Sequence, residues 1–169
     1  IYRDTITLCN ATINYRIELA DNLGCNSVSN IDGDVFQDLI PPDAPVIDWV
    51  TVDTATGDAV INWTESNAID ASGYIILEFI SGGWVIIDTV YGYTNTNYTN
   101  LNAFVDFQSE NYGVAAFDSC SNTSPMGVPQ NSIYASTSLD VCAKEVTITW
   151  NAYRNWNSGV LRYEVYASS

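Results

Sequence analysis

The sequence contains no histidine, and only five lysine and arginine residues face 20 aspartate and glutamate residues, a formal net charge of −15. Without histidine there is no Ser-His-Asp triad, no Cys-His dyad and no histidine-bound zinc. So acidic a chain has no basic surface to release counterions from phosphates, which excludes nucleic acid as a partner, and an anionic membrane surface repels it. No apolar run approaches the ~18 residues of a membrane-spanning helix, so the chain is not expected to insert in a bilayer. Helical periodicity is missing as well, since no stretch keeps apolar residues at i, i+3, i+4 and i+7 for three turns. Nothing matches a phosphate-binding glycine loop or a nucleophile elbow. Paired carboxylates are the acid–base option left. Glu65, Glu78 and Glu110 show no apolar surroundings in sequence that would raise a pKa. The chain reads as a non-enzyme without a cofactor.

What is present is a core and an uneven charge. Hydrophobic residues make up 47% and aromatic residues 12%, enough for a packed interior, so the acids belong to a solvated surface. Residues 43–135 carry eleven acids and no base; residues 1–42 are net −4 and residues 136–169 net zero. Solubility and repulsion between chains explain such a middle segment, and weak calcium binding is the sharper alternative. For calcium, Asp32 and Asp34 with Gly33 between them, and Asp38 and Asp43 nearby, are weak oxygen donors that lack an EF-hand ligand spacing.

Strand patterns are dense. Ala59, Ile61 and Trp63 alternate with Val60, Asn62 and Thr64; Tyr15, Ile17 and Leu19 with Arg16 and Glu18; Val146, Ile148 and Trp150 with Thr147 and Thr149. Turn formers separate them at Thr56-Gly57-Asp58, Ser81-Gly82-Gly83 and Asn157-Ser158-Gly159. The Pro41-Pro42-Asp43-Ala44-Pro45 stretch reads as a stiff linker or the leading edge of a strand.

The sequence also repeats itself. Asp53 to Trp63 reads DTATGDAVINW and Asp140 to Trp150 reads DVCAKEVTITW, each Asp ten residues before its Trp. Tyr15 to Asn30, YRIELADNLGCNSVSN, pairs with Tyr112 to Pro125, YGVAAFDSCSNTSP, each Tyr expected to open a strand. The two repeats are offset by 87 and 97 residues, close to the ~100 of an immunoglobulin-like sandwich. Their order predicts the tail of one unit (1–41), a whole unit (42–135) and the head of a third (136–169). Each outer unit then needs strands from elsewhere, or the two halves complement each other. A chain opening at Ile1 within one strand pattern and stopping at Ser169 after another, with no initiator Met or signal peptide, is expected to be a piece of a longer mature protein.

The whole unit resembles a fibronectin type III domain, through Pro42-x-x-Pro45, Trp63 on strand B, Tyr74 on strand C and Tyr112-Gly113-Val114-Ala115-Ala116 on strand F. With Asp118-Ser119-Cys120-Ser121-Asn122-Thr123-Ser124-Pro125 and Cys142…Trp150-Asn151-Ala152-Tyr153-Arg154-Asn155-Trp156, the chain is similar to tandem domains of secreted surface proteins in gliding Bacteroidota. The resemblance implies an all-β, immunoglobulin-like (fibronectin type III) sandwich array on the cell surface, associated with gliding motility and type IX secretion. It implies a non-catalytic spacer or adhesion module whose partners are other repeats of the same chain, with an extracellular glycan or protein as a further ligand. A carbohydrate-binding module and an accessory domain of a secreted hydrolase are the alternatives. No Arg-Gly-Asp tripeptide occurs, so integrin-style binding is not implied.

In that frame Trp63 and Trp150 are core indoles, and Tyr15 and Tyr112 are tyrosine corners whose hydroxyls tie back to upstream backbone. Trp84, Tyr91, Tyr93 and Tyr98 lie outside the repeating core pattern and are the candidates for stacking on a sugar ring. The alternative for them is plain packing on the sheet and over a loop. Cys9, Cys25, Cys120 and Cys142 include no C-x-x-C pair, so disulfides are favoured over zinc. Repeat logic sets Cys25 and Cys120 in F–G loops, Cys142 in an A–B loop and Cys9 near an E–F turn. Bridges between A–B and E–F within one unit would give Cys9 and Cys142 partners outside the chain, with Cys120–Cys142 the competing pairing. Four N-glycosylation sequons, at Asn10, Asn62, Asn97 and Asn122, are the number expected by chance. Thr5, Thr54 and Thr89, each in Asp-Thr-aliphatic context, resemble the O-glycosylation signal of Bacteroidota.

Overall fold

A computed structural model describes residues 1–6 and 8–167. Thirteen strands appear among them: β1 (Asn10–Tyr15), β2 (Glu18–Ala20), β3 (Asn26–Val28), β4 (Asp32–Gln37), β5 (Ile47–Asp53), β6 (Asp58–Trp63), β7 (Ala71–Ile80), β8 (Gly83–Tyr91), β9 (Asn97–Asn100), β10 (Asn111–Asp118), β11 (Gln130–Asn131), β12 (Ala135–Asp140) and β13 (Glu145–Trp150).

Strands β5 to β11 close one sandwich. A three-stranded sheet β5-β6-β9 faces a four-stranded sheet β11-β10-β7-β8, all neighbours antiparallel. This is the A-B-E and G-F-C-C′ order of an immunoglobulin-like, fibronectin type III sandwich, and the chain is all-β. Period-2 alternation sets the inner faces. On β6, Ala59, Ile61 and Trp63 are buried while their neighbours are half-exposed. They meet Tyr74, Ile76, Tyr112, Val114 and Ala116 from the other sheet, with Ile47, Val50 and Val105 filling the sides. The Trp63 indole meets Tyr74 edge-on at 5.1 Å between ring centroids. Burial of its ring comes at a cost, because its Nε1–H finds no acceptor among the described residues.

Turn chemistry fixes the registers. Ile80 pairs with Gly83 across Ser81-Gly82, whose φ angles of 53° and 88° make the doubly left-handed two-residue turn that matches strand twist. The β5–β6 and β12–β13 hairpins share one design. Asp53 pairs with Asp58 and Asp140 with Glu145, and the residue before each returning strand, Gly57 or Lys144, is left-handed. The Asp53 carboxylate accepts the Ala55 N–H, and that of Asp140 accepts the Cys142 and Ala143 N–H groups. The aspartate ten residues before each tryptophan is thus the turn's cap.

The second repeat is equally literal. Ala20 pairs with Asn26 and Phe117 bridges Thr123, so both hairpins enclose five-residue turns. Asp21 Oδ1 accepts Leu23 and Cys25 N–H, and Asp118 Oδ1 accepts Cys120 and Asn122 N–H. Cys25 therefore matches Asn122, two positions past Cys120.

Some expectations need correction here. Tyr15 closes β1 instead of opening a strand, is 43% exposed, and donates to the Asp4 carboxylate at 2.9 Å, not to backbone. The Tyr112 hydroxyl also ends on side chains, as described below. Trp150 is 41% exposed, with Tyr163 tilted beside it at 5.6 Å between centroids. No second sheet among the described residues covers β12–β13, so the indole has nothing to be core to.

Candidate functional site

The features with the most polar chemistry outside the core lie at the two ends of the sandwich, where the flanking strands attach.

At one end, Cys9 and Cys120 form a disulfide with Cα atoms 5.0 Å apart. Cys9 precedes β1 and its carbonyl accepts the Asp38 N–H; Cys120 sits in the β10 turn. The expectation that Cys9 reaches outside the chain is overturned, as is the Cys120–Cys142 pairing. The bridge ties the segment just before β1 to the turn that follows β10. Cys25 and Cys142 are free and exposed. Asn122 Nδ2 adds bonds to Asp118 Oδ2 at 2.8 Å and the Asp38 carbonyl at 3.3 Å, so this sequon amide is already engaged. Asp38, Asp70 and the bridged Cys120 lie close together. Desolvation first, then Asp38 and Asp118, raise the Asp70 carboxyl above its ordinary pKa. With the sulfur oxidised, two carboxylates remain there, too few for a cation on their own.

At the other end, residues 151–155 lie along β11. The Tyr153 hydroxyl accepts the Val50 N–H at 2.6 Å and donates to Gln130 Oε1 at 2.7 Å. Gln130 Nε2 holds the Ile47 carbonyl at 2.6 Å, and Asn131 exchanges bonds with Ala152 O and Arg154 N. Asn151 and Asn155 reach back to Tyr134 N and the Pro129 carbonyl. Gln130 and Asn131 are 2% exposed, and their side-chain oxygens take their hydrogen bonds from Tyr153 and Arg154 of this segment. Burial raises the Tyr153 phenol above its usual pKa, so it stays a donor across ordinary pH. A groove of about 550 Å³ beside it is lined by Trp49, Val52, Ile133, Tyr153 and Trp156.

The four aromatic candidates do not gather. Trp84, the second residue of β8, is 37% exposed and meets Phe79 at 5.4 Å between ring centroids. Tyr91 ends the same strand, seven residues and therefore roughly 23 Å away, with its ring on Phe117. Tyr93 offers its carbonyl to the Tyr74 hydroxyl at 2.7 Å, and half-buried Tyr98 packs on the core, so it does belong to the core pattern. Asp32 and Asp34 sit exposed on β4, each accepting from the next residue's N–H. Asn62 donates to the Thr96 carbonyl; Asn10, Asn97, Thr5 and Thr54 are exposed and Thr89 is half-exposed.

One expectation about acids fails in an informative way. Glu65 is exposed, but Glu78 is 8% and Glu110 3% exposed. Desolvation, then the charge of Glu110, pushes the Glu78 pKa up. Tyr112 is pushed up as well, by burial and then by its bond to Glu110. Only its inward alternation after Tyr74 and Ile76 could have marked Glu78 in the sequence. None of these acids faces a nucleophile or a histidine.

Comparison with known proteins adds little beyond this. No family model and no curated protein matches the chain. Among solved structures, it is similar to an Fn3-like protein from Clostridium thermocellum, at 20% identity over 55% of this chain and 90% of that one, TM-score 0.43. It is similar to FN3tt at 17% identity over 55% and 96%, TM-score 0.42. It is also similar to the Clostridium perfringens spore cortex lytic enzyme SleM, at 16% identity over 70% of this chain and 32% of that one, TM-score 0.40. The fold assignment rests on the strand order and not on likenesses at this level.

Proposed function

We propose that this chain is a spacer segment of a longer extracellular protein, in which sandwich units are joined stiffly end to end. The fold is compatible with a non-catalytic module. The observation carrying the proposal is that both ends of the β5–β11 sandwich are tied to flanking chain, by the Cys9–Cys120 bridge and by the Tyr153–Gln130–Val50 bonds. A flexible tether would leave those groups to water. The division into units at 1–41, 42–135 and 136–169 belongs to this proposal. So does a cell-surface setting in a gliding bacterium with type IX secretion, which rests on sequence resemblance alone. The disulfide supports an oxidising compartment. The eleven acids without a base in residues 43–135 would keep neighbouring arrays apart.

The free thiols supply the test. Spin labels on Cys25 and Cys142 report a distance across both joints. One narrow distance distribution is expected for the wild type and a broad one for the Cys9→Ser/Cys120→Ser variant. A broad distribution in the wild type would refute the stiff-spacer reading. Adhesion to sugar is a second reading, favoured only by the exposed Phe79–Trp84 pair; glycan-array binding abolished by Trp84→Ala would support it.

A further inference from the structure

The strands flanking the β5–β11 sandwich each show an apolar face to solvent. In the tail hairpin, β12–β13, directly paired residues share a face: Ala135 with Trp150, Thr137 with Ile148 and Leu139 with Val146. The opposite face is polar, with the Ser136 and Thr149 hydroxyls 2.8 Å apart. Leu139, Val146, Ile148 and Trp150 are all at least 37% exposed. In the head hairpin, β1 to β4 folded on the β2–β3 turn, Ala11–Phe36, Ile13–Asp34 and Tyr15–Asp32 share a face. Tyr15 is exposed there, and Ala11, Ile13 and Phe36 are half-buried. No second sheet among the described residues packs on either hairpin, and a lone two-stranded ribbon is marginally stable in water.

What covers such faces is visible in the middle of the chain. The tail hairpin repeats β5–β6 down to its aspartate cap, and the head turn repeats the Asp-capped turn after β10. Between β5 and β11 these two kinds of strand pair meet in one core, Ile47, Ile61 and Trp63 with Tyr112, Val114 and Ala116. Head and tail are thus opposite halves of one sandwich, but a single chain holds them apart. The head is bridged to Cys120, just past β10, whereas the tail docks on Asn131, which pairs with Asn111 at the start of β10. The eight residues of β10, roughly 26 Å, lie between. Charge favours a meeting between copies. Residues 1–42 are net −4, with Asp32 and Asp34 on the head face, while residues 136–169 are net zero and hold three of the five bases. Head against tail is therefore less repulsive than head against head, or than either against the all-acid middle.

We propose that the β12–β13 face of one copy packs on the β1–β4 face of a second copy, joining copies head to tail. The inference rests on the division into units made in the spacer reading, and not on stiff joints. Such a contact is heterologous, so each copy keeps a free head or tail for the next until a ring closes or an open array forms.

The test is sedimentation equilibrium of the chain in about 0.15 M salt, which screens its acids. Cys25→Ser and Cys142→Ser remove the free thiols, so that no disulfide links copies. The average mass should rise with concentration above the 18.6 kDa of one copy. Ile148→Gln on the tail face and Ile13→Gln on the head face should each weaken association by about tenfold or more, with circular dichroism unchanged. Thr147→Gln, on the polar side of β13, should leave it alone. Mixed in equal amounts, the Ile148→Gln and Ile13→Gln variants should form a heterodimer, because one intact tail and one intact head remain. Monomers at every concentration, wild-type association by either variant, or no heterodimer on mixing would each overturn the proposal. Monomers together with one narrow Cys25–Cys142 distance would overturn the head-to-tail contact and leave the spacer reading standing.

Discussion

Replacing Tyr153 with phenylalanine removes one oxygen and leaves the ring. That oxygen accepts the Val50 N–H and donates to Gln130 Oε1, at 2.6 and 2.7 Å. Val50 is 3% and Gln130 2% exposed, so neither orphan meets bulk water. Gln130 cannot turn away, because its Nε2 is committed to the Ile47 carbonyl at 2.6 Å. A buried group left unpaired costs about 1–3 kcal/mol, so two orphans set an upper range of about 2–6 kcal/mol. Tyr153 is itself half-buried, and water entering beside the new ring will satisfy part of that loss. We therefore expect about 2 kcal/mol against docking of the 151–155 segment, roughly a 30-fold change in its opening equilibrium. Native-state hydrogen exchange reads this directly: the Val50 amide should exchange roughly 30-fold faster, with amides in the middle of β10 little changed. Combining Tyr153→Phe with Gln130→Leu should cost less than the sum of the two, because both break one chain of bonds. Unchanged exchange at Val50, or strict additivity, would show that the hydroxyl holds nothing and that the joint is not a joint.

Thiol titration of the unfolded, unreduced protein should find two reactive cysteines, Cys25 and Cys142, and four after reduction. Four without reduction would contradict the Cys9–Cys120 bridge. The raised pKa of Glu78 gives the pH dependence of stability a definite sign. Its contribution is full below the ordinary carboxylate pKa and is lost as pH rises from there through the folded-state value, by at most about 1.4 kcal/mol per pH unit. Denaturant melts of Glu78→Gln should therefore match the wild type at low pH and exceed it at neutral pH. Tyr74→Phe strips a fully buried hydroxyl that accepts from Ser66 N and donates to the Tyr93 carbonyl. A loss of about 1–3 kcal/mol in urea unfolding is expected. Gly127→Ala would set a Cβ 2.0 Å from the Pro45 carbonyl oxygen, a backbone atom that cannot swing aside. We expect about 1–3 kcal/mol of destabilisation, and a neutral result would mean that the Pro45 backbone ahead of β5 does not lie this close.

The sequence by itself determined what local chemistry can specify. Alternation of Ala59, Ile61 and Trp63 assigned an inner face, and the Asp53 and Asp140 caps set two hairpins in the same register. Repeats offset by 87 and 97 residues implied a sandwich unit, and the strand order bears out the fold class. Tertiary structure decided what depends on groups far apart in the chain. The Cys9–Cys120 bridge spans 111 residues, and no spacing rule distinguishes it from its rivals. It joins the segment before β1 to the turn after β10, whereas the repeat pattern points to bridges within one unit. Nothing local in the sequence marks Tyr153, because the Val50 N–H that its hydroxyl accepts lies 103 positions away. Trp150 and Trp63 occupy the same place in their repeats, yet only Trp63 is buried, because burial needs an opposing sheet as well as an alternating strand. Glu78 shows the same limit in charge. Its neighbours in sequence gave no sign of a raised pKa, since desolvation comes from the whole core and the second carboxylate lies on another strand. Pattern and turns are written within a few residues, while burial, pairing and charge balance are set by what the folded chain brings against them.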